Sequence, residues 1–252
     1  MLETRELGIR FGGHVAVNAV SCRFEPGTLT AIVGPNGAGK TTYFNLISGQ
    51  LKATTGQVLF EGQDLSQAGV VQRTRAGLGR AFQLTNLFPN LSVQENVRLA
   101  VQATQPGSHR HGLKLLSIWS DHQGLIDRAR QILADVALLD KQDALVSSLP
   151  HGDQRKLEVA LLMALDAKVF MFDEPTAGMS ADEAPVILDL IRRLKQDRSK
   201  TILLVEHKMD VVRELADRII VLHNGSLVAD GDPATVIASP VVQEAYLGVS
   251  PT

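Results

Sequence analysis

The residues whose types and spacing could do chemistry begin with GPNGAGKTT, residues 34–42. Gly34 to Thr41 fits G-x-x-x-x-G-K-[ST], a spacing that suits the phosphates of a nucleoside triphosphate. Gly34, Gly37 and Gly39 can take positive φ and carry no Cβ, so the N–H groups of a loop completed by Pro35, Asn36 and Ala38 can turn inward around an anion. Lys40 can reach β- and γ-phosphate oxygens, and the Thr41 hydroxyl, with Thr42 behind it, is placed to ligate Mg²⁺. A second group is Asp173-Glu174-Pro175, where Asp173 fits a Mg²⁺ partner, direct or through water, and Glu174 fits a base or a polarising group for an attacking water. Two acids that merely cap a turn are the plain alternative, and the phosphate loop on the same chain argues against it. His207 could hydrogen-bond a γ-phosphate or could be an ordinary structural histidine. Phe11, ahead of the loop, could stack on an adenine face or could be a strand-end hydrophobe.

These groups need elements to position them, and the pattern supplies them. An apolar β-branched strand over 30–33 leads into the phosphate loop, and a helix through Ile47 leaves it, adding its positive dipole end. The apolar run 169–172 reads as a strand that places Asp173 and Glu174 at the C-terminal edge of a parallel sheet, where α/β ligands bind. Residues 201–205 form another buried strand, with Glu206-His207 at its end. Shorter strands are expected over 2–10, 20–24 and 57–60, the last ending in the Glu61-Gly62 turn. A helix is expected over 64–77, and Phe82-Gln83 closes a short apolar strand. Helical periodicity covers 94–103, 125–137 and 152–164. Ser180 to Glu183 has capping-box spacing, although Pro185 makes Asp182 an alternative cap. His223-Asn-Gly-Ser226 between apolar runs signals a hairpin. Short terminal helices are expected over 232–238 and 241–247.

Composition excludes several classes. The 252 residues are 44% hydrophobic, enough for a sizeable core, and the net charge of −2 gives no footprint for nucleic acid. Cys22 is the single cysteine, which rules out an internal disulfide and suits a reducing compartment. Apolar runs fall short of the roughly 18–20 residues of a membrane span, and the first ten residues are too charged for a signal peptide. A soluble, cytoplasmic protein is expected. The loop histidines His109 and His111 lack a carboxylate or cysteine at ligand spacing, so they are read as solvated. The apolar run 113–119 is read as packed within the helical region, with contact to a membrane partner as the alternative.

Taken together, the ordered motifs resemble those of an ATP-binding cassette, the ATPase subunit of an ABC transporter, over nearly the whole chain. GPNGAGKTT looks like its Walker A and VFMFDE like its Walker B with the catalytic glutamate. Gln83 matches the Q-loop, His207 the switch histidine and Phe11 the adenine-stacking aromatic. SSLPHGDQRKLEVA, residues 147–160, stands where the signature completes the partner's ATP site. GRAFQLTNLFPNLSVQENV, EPTAGMS, VEHKMDVV and the terminal EAYLG are similar to importers of branched-chain or polar amino acids and amides rather than to exporters.

The resemblance implies an α/β fold: a P-loop NTPase, RecA-like core with an antiparallel β-subdomain, an inserted helical subdomain over 84–163 and a C-terminal hairpin with short helices over 217–252. It implies ATP and Mg²⁺ as ligands, with Thr41, Gln83 and Asp173 toward the metal and Glu174, His207, Gln83 and Lys40 in catalysis. Pro150 and Gly152 would contact the partner's ATP. The partners implied are a second cassette (a distinct ATPase, or a second copy), two permease subunits that dock near 84–91 on the inner face of the membrane, and indirectly an external binding protein. Three positions depart from the commoner pattern: Pro150 replaces the signature serine, His151 and Asp153 replace glycine and glutamine, and Ser180 replaces the D-loop aspartate. A lipid or lipopolysaccharide export cassette is the alternative within transport. A soluble cassette acting on DNA or ribosomes would need tandem cassettes or a coiled coil. A non-catalytic cassette would lose Lys40, Glu174 or His207.

Overall fold

A computed structural model describes residues 1–81, 87–104, 123–180, 182–240 and 242–243. The chain divides into two compact units, one of residues 1–80, 168–175 and 191–252, the other of residues 81–167 and 176–190.

The first unit is built on two sheets. Strands β1 (Leu2–Phe11), β2 (His14–Phe24), β4 (Thr55–Phe60) and β5 (Gln63–Asp64) form an antiparallel sheet in the order β2-β1-β4-β5. The second sheet runs β10-β9-β3-β8-β7-β6, from β3 (Leu29–Val33), β6 (Leu78–Ala81), β7 (Val169–Asp173), β8 (Thr201–Val205), β9 (Arg218–His223) and β10 (Ser226–Gly231). Within it β3 is parallel to β8 and β9, and β7 to β8, while β10 returns antiparallel along β9. Every residue of β3 and β8 is buried, the pattern of strands covered on both faces.

Helix α1 (Lys40–Ser48) leaves β3 through the phosphate loop, and its Tyr43, Phe44, Leu46 and Ile47 are almost fully buried. They pack in one core with Leu2, Leu7, Val20 and Phe24 of the antiparallel sheet and with Ile32, Met171, Leu203 and Ile220 of the parallel one. On the opposite face Ala31, Val33, Ile219 and Val221 meet Val212 of α7 (Met209–Leu215) and Val236 of α8 (Pro233–Ala238). The C-terminal end of α1 is closed by Arg73 of α2 (Val70–Ala76), whose guanidinium donates to the carbonyls of Leu46 (2.6 Å), Ile47 (2.7 Å) and Ala68 (2.9 Å). A cation at this end satisfies carbonyls that the helix leaves open and opposes its dipole.

Turns follow the sequence closely in places. Asn224 and Gly225 both have positive φ (46° and 76°), the two-residue geometry the Asn-Gly pair favours. The helix expected over 64–77 starts later, at Val70, because Asp64 belongs to β5 and its carboxylate accepts from Ser66 N (2.8 Å), a local bond that competes with helix. The expected helix over 241–247 lies almost wholly outside the described residues.

The second unit contains α3 (Val93–Ala103), α4 (Gln123–Asp135) and α5 (His151–Ala164), which pack on one another. Ser92 caps α3 by accepting from Glu95 N at 3.2 Å. The buried Asn96 side chain accepts from Phe88 N (2.8 Å) and donates to Phe88 O (3.1 Å), fixing a loop in which Phe88 is 55% exposed. Ser180 and Glu183 form a capping box: Glu183 N donates to Ser180 Oγ and Ser180 N to Glu183 Oε2. Helix α6 (Ala184–Gln196) follows, and its residues fall in both units. Among the described residues, no helix is long and apolar enough to cross a membrane.

Candidate functional site

The C-terminal ends of β3, β7 and β8 carry, in turn, the phosphate loop, Asp173-Glu174 and Glu206-His207. All of these residues belong to the first unit. The loop is held by backbone hydrogen bonds, two of them local, Ala38 N to Pro35 O (3.1 Å) and Tyr43 N to Gly39 O (2.8 Å), and one from the hairpin turn, Gly225 N to Ala38 O (3.0 Å). Gly39, at φ 96°, is the residue before α1, and a Cβ there would lie 2.4 Å from the carbonyl oxygen of Ala16. At Gly34 a Cβ would lie 2.2 Å from Leu222 O. Glycine is therefore demanded at these two positions by space as well as by φ.

Lys40 Nζ donates to the carbonyls of Gly34 (2.7 Å) and Pro35 (2.9 Å), so its ammonium lies folded over the loop. Burial holds it below the ordinary lysine value, against the opposing pull of Glu174 and Asp173. Asp173, at the end of β7, accepts through Oδ2 from Arg80 Nη2 at 2.7 Å, both side chains being almost buried. Burial raises the Asp173 carboxyl above its usual range, although Arg80 pulls the other way. The same guanidinium donates through Nη1 to Asn45 Oδ1 (2.6 Å), Ser48 Oγ (3.0 Å) and Gln50 Oε1 (3.2 Å), and lies 4.9 Å from the centroid of the Phe44 ring.

Glu174 follows at φ 50°, an uncommon conformation for a residue with a side chain. It is held by its N–H donating to Val205 O at 2.9 Å. Its carboxylate Oε1 lies 2.8 Å from His207 Nε2. Backbone strain of this kind concentrates at functional positions, because the surrounding structure must enforce it.

Lys40, Glu174 and His207 open onto one cavity of about 430 Å³, lined also by Phe11, His14 and Ala16 and by the loop residues Asn36, Gly37, Ala38, Gly39, Thr41 and Thr42, while Asp173 lies behind this lining, paired with Arg80. Phe11 is 49% exposed, so it stands at the cavity mouth rather than in the core. The open N–H groups of a helix start, a lysine, and glycines where a Cβ would collide fit the phosphates of a nucleotide. The Thr41 hydroxyl and the Asp173 carboxylate offer hard oxygen donors of the kind Mg²⁺ takes.

Elsewhere, in the second unit, Pro150 stands before α5 at φ −55° and ψ 155°, and Gly152 lies in its first turn. Asp153, largely buried, is bonded by Lys141 Nζ and by Lys156 Nζ, the latter at 2.8 Å. Gln83 lies outside the described residues. Sequence reasoning missed His14 and Ala16, which a strand pattern cannot place beside the loop. It also missed Arg80, although a charged residue three positions before Gln83 in an apolar strand is a visible oddity.

The family model described as ABC transporter matches residues 17–177, and that described as branched-chain amino acid ATP-binding cassette transporter matches residues 226–251. The high-affinity branched-chain amino acid transport ATP-binding protein LivG of Escherichia coli (strain K12) is 38% identical over 249 residues, 98% of each chain. BraF of Pseudomonas aeruginosa, described in the same words, is 34% identical over 256 residues, again 98% of each. The crystal structure of the ADP conformation of MJ1267, an ATP-binding cassette of an ABC transporter, superposes with a TM-score of 0.81 at 28% identity, covering 99% of both chains. By sequence over almost its full length and by fold, the chain belongs to the ABC transporter family, as an ATP-binding cassette ATPase of the branched-chain amino-acid group.

Proposed function

We propose that this ATPase powers the import of branched-chain amino acids through two permease subunits, working at the cytoplasmic face of the membrane. The observation that carries the catalytic part is the Glu174–His207 contact of 2.8 Å on the cavity walled by the phosphate loop. The N–H groups of residues 37–42 and the Lys40 ammonium bind the phosphates of ATP, and Phe11 meets the base. Thr41 and Asp173, with Gln83, would hold Mg²⁺, which would supply positive charge against the phosphate oxygens. Glu174 takes the proton of the attacking water as its oxygen bonds to the γ-phosphorus and the bond to the ADP oxygen breaks. His207 orients Glu174 and the departing phosphoryl group.

Residues 84–163 serve as the helical subdomain. Pro150 and Gly152 complete the ATP site of a partner cassette, which is a distinct second ATPase. Phe88, exposed on a loop fixed by Asn96, offers an apolar contact to a permease helix. An external binding protein delivers the substrate.

Reconstitution of the chain with its partner cassette and permeases in proteoliposomes tests this reading. Binding protein loaded with leucine, isoleucine or valine should stimulate ATP turnover and drive uptake of the labelled amino acid. Turnover without any such stimulation would overturn the substrate and leave the ATPase.

A further inference from the structure

Arg80 has no part in the chemistry above, yet its guanidinium sits between the phosphate-loop helix and the carboxylate assigned to the metal. We propose that Arg80 is a positioning residue, which fixes the Asp173 carboxylate relative to α1 and so sets how tightly the site holds a divalent cation. The proposal rests on the reading of Thr41 and Asp173 as the metal's protein partners.

The contact is more than a two-body ion pair. One arm of the guanidinium, Nη1, is bonded to Asn45, Ser48 and Gln50, on or just after α1, and the plane lies against the Phe44 ring. The other arm, Nη2, holds Oδ2 of Asp173 at 2.7 Å. Asn45 and Phe44 sit on the same rigid helix as Lys40 and Thr41. Arg80 therefore ties Asp173 to the element that carries the hydroxyl donor, across a gap between two strands of the sheet and a helix. One carboxylate oxygen is committed to the guanidinium, which fixes where the other must point.

A purely structural counter-ion would need only a positive charge near Asp173. A positioning residue needs the planar fork, because one ammonium cannot bond the α1 side chains and the carboxylate in the same two directions. Arg80→Lys separates the two roles, since it keeps the charge and removes the fork.

The test uses the full chain and Mn²⁺ as the probe, titrated in the presence of ATP and followed by electron paramagnetic resonance at temperatures where turnover is negligible. Metal-free binding of ATP is measured alongside. For Arg80→Lys we expect metal-free ATP affinity within about twofold and Mn²⁺ affinity lower by about tenfold, as when a partner orienting a metal-binding carboxylate is lost. Asn45→Ala guards against misfolding of the first variant, because it keeps the Arg80–Asp173 pair and removes one anchor. It should shift Mn²⁺ affinity in the same direction, by about threefold on the same scale. Mn²⁺ affinity within twofold of the native chain in both folded variants would overturn the proposal. So would a loss of metal-free ATP binding equal to the loss of Mn²⁺ binding. If the native chain bound ATP with no Mn²⁺ coupling, the metal assignment itself would fail and take the proposal with it.

Discussion

Replacing Gly39 with alanine should cost far more than the same change at Gly37, although both are loop glycines at positive φ. Gly37 has φ 79° and open space around the position of an added Cβ. Its cost is the left-handed backbone alone, about 1–2 kcal/mol, partly offset by about 0.4–1 kcal/mol from a stiffer unfolded chain. Gly39 has φ 96°, and an added Cβ would sit 2.4 Å from Ala16 O and 3.4 Å from Gly225 Cα. The first of these is a clash with a backbone oxygen that cannot rotate away, so overpacking adds about 1–3 kcal/mol, whereas the second is an ordinary contact. With the same offset applied, the sum for Gly39→Ala is about 1–4.6 kcal/mol, a melting temperature lower by about 3–14 °C for a chain of this size, against about 0–5 °C for Gly37→Ala. The loop or the Ala16 strand must also shift, and both line the cavity. ATP affinity should accordingly fall by at least about tenfold, which requires only about 1.4 kcal/mol. Thermal unfolding by circular dichroism and an equilibrium ATP titration measure the two quantities. Melting of the Gly39 variant within about 2 °C of the Gly37 variant would refute the contact with Ala16 as the constraint.

Glu174→Gln should keep ATP binding and lower turnover by about 10²-fold or more, whereas Lys40→Ala should weaken binding itself; phosphate release and nucleotide titration separate the two, and near-native turnover in the glutamine variant would remove Glu174 from its role. Pro150→Ser should strengthen ATP-driven dimerisation of the isolated chain, by about tenfold or more in sedimentation with Glu174→Gln blocking hydrolysis, because a hydroxyl bond to a charged oxygen is restored. An unchanged dimer would mean that the loop shape set by Pro150 and His151 outweighs the hydroxyl. At Asp153, burial pushes the carboxyl up, but the hydrogen bonds from Lys141 and Lys156 outweigh it and hold the group below its ordinary value. A carboxyl lowered in this way stabilises the fold above the unfolded value of about 3.9, and that contribution is lost as pH falls through the folded value. Asp153→Asn should therefore cost about 1–2 kcal/mol at pH 7, a figure discounted because Lys141 is 41% exposed, with the difference vanishing on acidification. Chemical denaturation across that range checks it, and a pH-independent difference would contradict it.

The parts legible in the sequence were those governed by neighbours along the chain. The phosphate loop, the strands ending in Asp173 and His207, and the Asn224-Gly225 hairpin all rest on local φ preferences and on runs of apolar residues. Asp64 defeated the same logic, since an acid at the edge of an apolar period reads as helix until its carboxylate is seen to accept from Ser66. The partners of Arg80, Arg73 and Asn96 were illegible for a different reason, even where, as at Arg80, the residue itself stood out. Each of the three is a polar side chain in an apolar setting whose partners lie on another element or across a loop, and spacing along the chain carries no trace of them. His14 and Ala16 reach the candidate site only because β2 folds back beside the loop.

Arg73 has a consequence for how the protein responds to its surroundings. Burial lowers its pKa, but a guanidinium starts so far above neutrality that it stays charged. The carbonyl end of the phosphate-loop helix thus carries a permanent positive charge that acidity cannot remove and bulk salt reaches poorly. The scaffold's share of the attraction for phosphate is constant. The helix beneath the nucleotide acts as a fixed electrostatic reference, whatever titrates around it.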